Sequence, residues 1–149
     1  MKERFSIRAA VYLLLFRDGK VLLSHRFNTG WQDGKYSLIA GHIDGNETVA
    51  DAMIREAKEE AGIAIAREDM RVIHTMHRKS KDAEYIDFFL TAEKWKGELK
   101  NNEPQKCDEL GWFPVEELPD TTLSYIAEVI RCVGNGVTFS ESGWSGDAL

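Results

Sequence analysis

The chain is short of cysteine, with only Cys107 and Cys132. They lie far apart and outside any metal-ligand spacing, so neither a disulfide framework nor a zinc site is built on them. Reduced thiols in a cytoplasmic protein are the expectation. Long apolar runs are also missing. The longest near the start, residues 9–16, is far below the roughly 20 residues that a spanning helix needs. Arg17-Asp18-Gly19-Lys20 follows it, which is a turn and not a small-residue cleavage site, so a buried strand is expected and no membrane partner. Positive charge is in deficit: 19 Lys and Arg against 25 Asp and Glu leave a net charge of -6. That balance speaks against nucleic acid as a partner, because backbone affinity comes from Lys and Arg displacing counterions. A small polyphosphate remains open to an acidic protein when metal ions supply the positive charge. No internal repeat, low-complexity stretch or linker divides the chain.

What is present suits one soluble domain over residues 1–149, with 43% hydrophobic and 30% charged residues and enough length to bury a core. Apolar runs at 7–16 and 21–24, separated by Asp18-Gly19, predict a hairpin. A loop is expected at 28–35, a short strand at 36–40, and a glycine-containing loop at 41–46. The pattern then changes period. Thr48 and Asp51 have capping-box spacing, Gly62 sits where a helix-ending glycine belongs, and good helix formers lie between. On that helix Ala50, Met53, Ile54, Ala57 and Ala61 form the expected buried stripe. Strands are expected at 70–77, 85–92 and 110–113, a turn at 114–119, a second helix at 123–133, and a loosely packed tail at 134–149. Strands around two helices predict an α+β fold with a mixed sheet.

The chemistry lies on the first helix. Glu56, Glu59 and Glu60 stand at i, i+3 and i+4 and share one sector of roughly 100°. Like charges at this spacing repel, and the helix dipole disfavours anions near a C-terminus. Arg55 can pair with Glu59, and Asp51 with Arg55, which still leaves carboxylates uncompensated. A solvated acidic face is the ordinary reading of such a cluster. The flanking residues argue otherwise. Gly41, Glu47, Arg55, Glu56, Glu59, Glu60 and Gly62, with aliphatic Ile63, stand in the order G, five residues, E, seven residues, R-E-aliphatic-x-E-E-x-G-aliphatic. Seven fixed positions at roughly 6% each put chance at about 10⁻⁹ per starting point.

That spacing resembles the box of the Nudix hydrolase family (MutT-like), over residues 41–63, with softer similarity from 10 to 119. The resemblance implies an α/β/α sandwich and a metal-dependent hydrolase acting on a diphosphate bond. It implies that Glu56, Glu59 and Glu60, with the Ala40 carbonyl, hold Mg²⁺ or Mn²⁺. That ion takes hard oxygen ligands and leaves room for substrate phosphates. It further implies that Glu47 and Arg55 brace the loop against the helix, with Gly41 turning the chain and Gly62 ending the helix. Arg26 matches a position that contacts phosphates. The general base is implied to be Glu56 or a loop acid, of which Glu103 is the candidate, with Asp108 and Glu109 as competitors. Many relatives carry Pro-Gly at the first box glycine, whereas this chain reads Ile39-Ala40-Gly41-His42, which bears on the shape of the cleft. His42 in that loop is read as a solvated side chain or one that reaches a phosphate or metal.

A planar substrate group would stack on an aromatic, and Trp31 and Trp144 are less easily explained as core than Tyr36, Tyr85 and Phe88. Relatives that cleave ADP-ribose carry a proline soon after the box, and this chain has none between Ile63 and Pro104. A coenzyme A signature is not recognisable. Nucleoside tri- or diphosphates, cleaved to a monophosphate plus pyrophosphate or phosphate, are therefore the leading class. Two alternatives are carried: a non-catalytic nucleotide-binding module, which would lose box acids, and an isoprenoid diphosphate isomerase, which needs a suitably placed cysteine. A homodimer is compatible with the family and is not read from any residue.

Overall fold

The computed structural model describes residues 2–145. Its elements run β1 (Arg8–Leu13), β2 (Phe16–Arg17), β3 (Lys20–Arg26), β4 (Tyr36–Ser37), β5 (Ile39–His42), α1 (Val49–Ala61), β6 (Arg71–Lys79), β7 (Glu84–Thr91), β8 (Cys107–Pro114), α2 (Ser124–Gly134) and β9 (Phe139–Ser142), with a 3-10 turn at Arg67–Asp69 before β6. The strands form two sheets. The larger has the order β5-β1-β7-β6-β9 and is mixed: β1 is parallel to β7 and β6 to β9. The smaller is antiparallel, with β3 paired to β2, β4 and β8.

β1 explains the layering. Its alternate residues Val11 and Leu13, followed by Leu15, pack with Ala52, Met53, Ala57 and Ala61 of α1. Ala10, Tyr12 and the following Leu14 pack instead with Tyr125, Ile126, Val129 and Ile130 of α2. The mixed sheet is therefore covered by a helix on each face, the expected α/β/α sandwich. A strand buried on both faces reads as an unbroken apolar run and not as an alternating one.

Two expected strands prove to be pairs. The run at 7–16 divides into β1 and β2, and the run at 36–40 into β4 and β5, each pair split between the two sheets. The crossings occur at buried Leu14 and Leu15, and at Leu38. Hydrophobic residues satisfy either sheet, so nothing in the local pattern marks the change. The hairpin is as expected: Phe16 faces Val21 and Arg17 faces Lys20. Asp18 and Gly19 take φ of 52° and 75°, the left-handed pair of a two-residue type I′ turn. Strand β8 starts three residues before the expected 110 because it pairs along β3 as far as Arg26.

Helix α1 has the expected caps. The Thr48 hydroxyl accepts from the Asp51 amide at 3.1 Å, the Asp51 carboxylate accepts from the Thr48 amide at 3.3 Å, and Gly62 closes the helix at φ 71°. The buried stripe is corrected: Ala52 joins Met53, Ala57 and Ala61, while Ala50 and Ile54 are only partly buried. Asp51 does not pair with Arg55. It pairs with Arg67, which the turn before β6 brings against the first turn of α1. The expected loose tail is also corrected. Residues 139–142 form β9 on the edge of the large sheet, and buried His74 ties the approach by hydrogen bonds to the Val137 carbonyl at 2.9 Å and the Ser140 hydroxyl at 2.8 Å. The last four residues of that tail lie outside the described residues.

Candidate active site

The cleft lies where the two sheets part. Strand β5 and helix α1 form one wall, and the ends of β3 and β8 the other. Glu56, Glu59, Glu60, Ala40, Gly41, Arg26, Asn28, Thr29, Glu103 and Lys106 all line this space of about 450 Å³. Sequence expectation and geometry therefore meet for the three box glutamates, for Ala40 and Gly41, for Arg26 and for Glu103. Asp108 and Glu109 do not line the cleft. Asp108 contacts His25 at 2.5 Å and Glu109 accepts the Tyr36 hydroxyl at 2.6 Å, both away from the cleft wall.

The acidic side chains differ in environment. Arg55 gathers four carboxylates: Glu47 at 2.8 Å, Glu56 at 2.8 Å, Asp44 at 3.3 Å and Glu59 at 3.5 Å. It also donates to the His42 carbonyl at 3.3 Å, and Glu47 accepts the Asp44 amide at 2.9 Å. Arg55 and Glu47 thus hold residues 42–47 onto the helix, as expected for a bracing pair. Hydrogen bonding from Arg55 keeps the Glu47 carboxyl below the usual carboxylate range, and the Asp44 amide adds to it. Glu59 is about half exposed, whereas Glu56 is mostly covered.

Glu60 is the exception. The residue is partly buried, and its Oε2 is shielded from solvent with no hydrogen-bond partner. Burial first, then a hydrogen bond donated to Glu56 and the Glu56 charge, then the charge of Glu103, raise its carboxyl to about 10, against a lowering bond from the Ala40 amide. A strand residue sends its N–H and C=O toward the same edge. The Ala40 carbonyl therefore faces the side on which Glu60 lies. Among the described residues no three acidic, histidine or cysteine side chains already converge around a cation position. Arg55 explains this in part, since it draws Glu56 and Glu59 to itself. The donor set still fits a hard cation that retains waters and takes few protein oxygens, and the unpartnered Glu60 Oε2 is the oxygen with an unmet need.

Gly41 is corrected in role. It lies within β5 and does not turn the chain. A Cβ at this position would overlap the Glu56 carboxylate, so glycine is there to let that side chain cross the strand. Arg26 is held by the 27–35 loop. Its Nε donates to the Trp31 carbonyl at 2.8 Å, its Nη2 donates to Thr29 at 2.9 Å, and its guanidinium lies over the Trp31 ring at 4.9 Å. Asp33 ties the same loop through the Thr29 and Gly30 amides. Trp31 lies outside the main cleft, in a smaller pocket beside it. Trp144 stands elsewhere, against His77 and Lys79. Tyr36 packs on Phe113, Tyr85 lies beside Arg78, and Phe88 packs with the α1-side core, so none of these three stands free in the cleft. His42 is exposed, with its ring toward Tyr85.

Lys106 and Cys107 in the cleft were not expected from the sequence, because this segment returns to the box through tertiary contacts that leave no local pattern. The return is made by backbone hydrogen bonds. The amides of Lys100 and Asn102 donate to the Ala61 and Glu60 carbonyls at 3.1 and 3.0 Å, pinning the Glu103 loop to the end of α1.

The NUDIX domain family model matches residues 6–131. The 8-oxo-dGDP phosphatase of Mus musculus is 29% identical over 110 residues, 72% of this chain and 32% of that protein. The ADP-ribose pyrophosphatase of Methanocaldococcus jannaschii is 28% identical over 126 residues, 83% of this chain and 73% of that protein. Among solved structures, the MutT NUDIX hydrolase from Burkholderia pseudomallei superposes with a TM-score of 0.77 at 26% identity, covering 85% of this chain and 98% of that one. The chain spans about a third of the mouse relative's length. With a complete box on a helix-covered mixed sheet and a family match over most of its length, this chain belongs to the NUDIX family and has the fold of its MutT-like hydrolases.

Proposed function

We propose that the protein hydrolyses a diphosphate bond in a nucleoside tri- or diphosphate, releasing a monophosphate plus pyrophosphate or phosphate. The observation that carries this reading is the buried, unpartnered Glu60 Oε2 in a cleft that also holds Glu56, Glu59, Arg26 and Glu103. Glu56, Glu59, Glu60 and the Ala40 carbonyl would hold Mg²⁺ or Mn²⁺. Such an ion supplies charge for the phosphates and lowers the pKa of a bound water. Arg26, already oriented by Thr29 and Trp31, binds a phosphate oxygen. Glu103 accepts the proton of the attacking water, and Lys106 on the same wall adds positive charge for the leaving phosphate. Arg55 and Glu47 orient the glutamates and take no part in bond making.

The mouse relative's name supports a nucleoside diphosphate, and the archaeal relative's name supports ADP-ribose as a second reading. The thiols Cys107 and Cys132 are unpaired, which suits a cytoplasmic setting. Among the described residues no helix is long and apolar enough to cross a membrane. The test is a screen of standard and oxidised nucleotides, nucleotide sugars, dinucleoside polyphosphates and ADP-ribose with Mg²⁺ or Mn²⁺, reading released phosphate. The variants Glu59→Gln and Glu60→Gln are expected to lose most turnover while keeping the fold. No turnover of any compound with metal present, or undiminished turnover in both variants, would sink the proposal.

A further inference from the structure

The smaller pocket beside the cleft, of about 160 Å³, shares Arg26, Ala40 and Gly41 with it. Its chemistry is opposite. The cleft carries four glutamates, whereas no carboxylate lines the pocket, whose polar side chains include Arg26, Ser37, Tyr12 and Tyr125. The two tyrosines are only 6% and 2% exposed, and their hydroxyl oxygens lie 3.0 Å apart. Behind them Arg78, buried and anchored to buried Asp87 at 2.6 and 3.2 Å, donates Nη2 to the Tyr12 hydroxyl at 3.3 Å. Its guanidinium also lies over the Tyr125 ring at 4.4 Å.

The hydrogens of this group do not balance within the protein. Arginine only donates, so Tyr12 spends an acceptor site on Arg78. Two phenols bring two hydrogens, and the single bond between them uses one. Whichever tyrosine donates to the other, one buried O–H is left, and neither hydroxyl makes any other hydrogen bond among the described residues. A buried donor without an acceptor is unfavourable. The open side of the pair is the pocket, where the Trp31 ring stands at the wall with Ser37 and His42.

We propose that this pocket holds the substrate's base and that the Tyr12–Tyr125 pair, backed by Arg78, selects a ring carbonyl there over an amino group. Oxo bases are thereby preferred to their amino counterparts. The inference rests on the nucleotide-hydrolase reading, and its test is a binding measurement that needs no turnover. Calorimetry on the intact protein compares UMP with CMP and IMP with AMP, each pair contrasting a carbonyl with an amino group at the same ring position. The oxo member of each pair is expected to bind about tenfold more tightly, the value of one good hydrogen bond.

Tyr12→Phe and Tyr125→Phe each leave one phenol hydrogen, as many as the pair itself has free, and each should keep a preference. The double variant should lose it, with the circular dichroism spectrum native. Should the double variant not fold, the unaltered protein decides, and an amino member bound more tightly than its oxo partner overturns the proposal. Equal affinity within both pairs, no binding of any of the four, or a preference that survives the double variant overturns it as well. Selective binding without hydrolysis of any nucleotide would sink the hydrolase reading alone, and hydrolysis without base selectivity would sink this one alone.

Discussion

Replacing Glu60 by glutamine should make the metal-free protein more stable while removing its activity. In the folded chain burial, Glu56 and Glu103 raise the Glu60 carboxyl from its ordinary 4.5 to a value above neutrality. At pH 7 and without metal it therefore carries a proton that the unfolded chain does not. Taking up that proton 2.5 pH units above the ordinary value costs folding about 3 kcal/mol by linkage. Glutamine presents a neutral amide of the same shape and avoids this cost. After local relaxation a gain of about 1–3 kcal/mol is expected, or roughly 3–10 °C in Tm. The sign follows from the raised pKa. The stabilisation Glu60 gives is fully present below about pH 4.5 and is lost as pH rises toward the folded value. As pH rises from 5 toward neutrality the unaltered protein should thus lose stability relative to the variant. Thermal unfolding followed by circular dichroism in a chelating buffer at several pH values measures this directly. Parallel pH curves, or a variant less stable at pH 7, would refute the reasoning. Adding Mn²⁺ should raise the Tm of the unaltered protein more than that of the variant.

Three further outcomes are expected. Gly41→Ala forces the Glu56 carboxylate away from β5 and should lower kcat about 100-fold with a native spectrum; undiminished turnover would show that Glu56 can be moved freely. Arg55→Ala, which releases Glu47, Glu56 and the 42–47 loop together, should cost about 10- to 100-fold in metal affinity or turnover in a metal titration. Arg55→Lys should not restore it, because lysine lacks the forked donors. Glu103→Gln should lower kcat by about 10² or more with KM nearly unchanged, whereas Asp108→Asn, already committed to His25, should leave steady-state rates alone. Equal losses in the two would reject Glu103 as the base.

Local spacing is what the sequence expresses well. The capping box at Thr48 and Asp51, the left-handed Gly62 and the turn at Asp18-Gly19 all depend on neighbours within four residues, and each stands as read. The shared helix face of Glu56, Glu59 and Glu60 is equally local, and Arg55 and Glu47, paired by the family resemblance, lie 2.8 Å apart. Long-range placement was less legible. Asp51 found Arg67 instead of Arg55, and residues 139–142 became an edge strand on β6, since partners reached through a turn or a sheet leave no periodic trace.

From the amino-acid order alone came one helix with an acidic sector, its caps, and the box that names the family, because helix geometry turns spacing into a face. Tertiary packing decided the rest of the site. It sends two apolar runs across from one sheet to the other, pins Glu103 beside Glu60 through the Asn102 amide, and shields one Glu60 oxygen so that it lacks a partner. Burial and charge crowding are properties of distances between segments far apart in the chain, and those distances exist only once the two sheets and α1 have closed on each other.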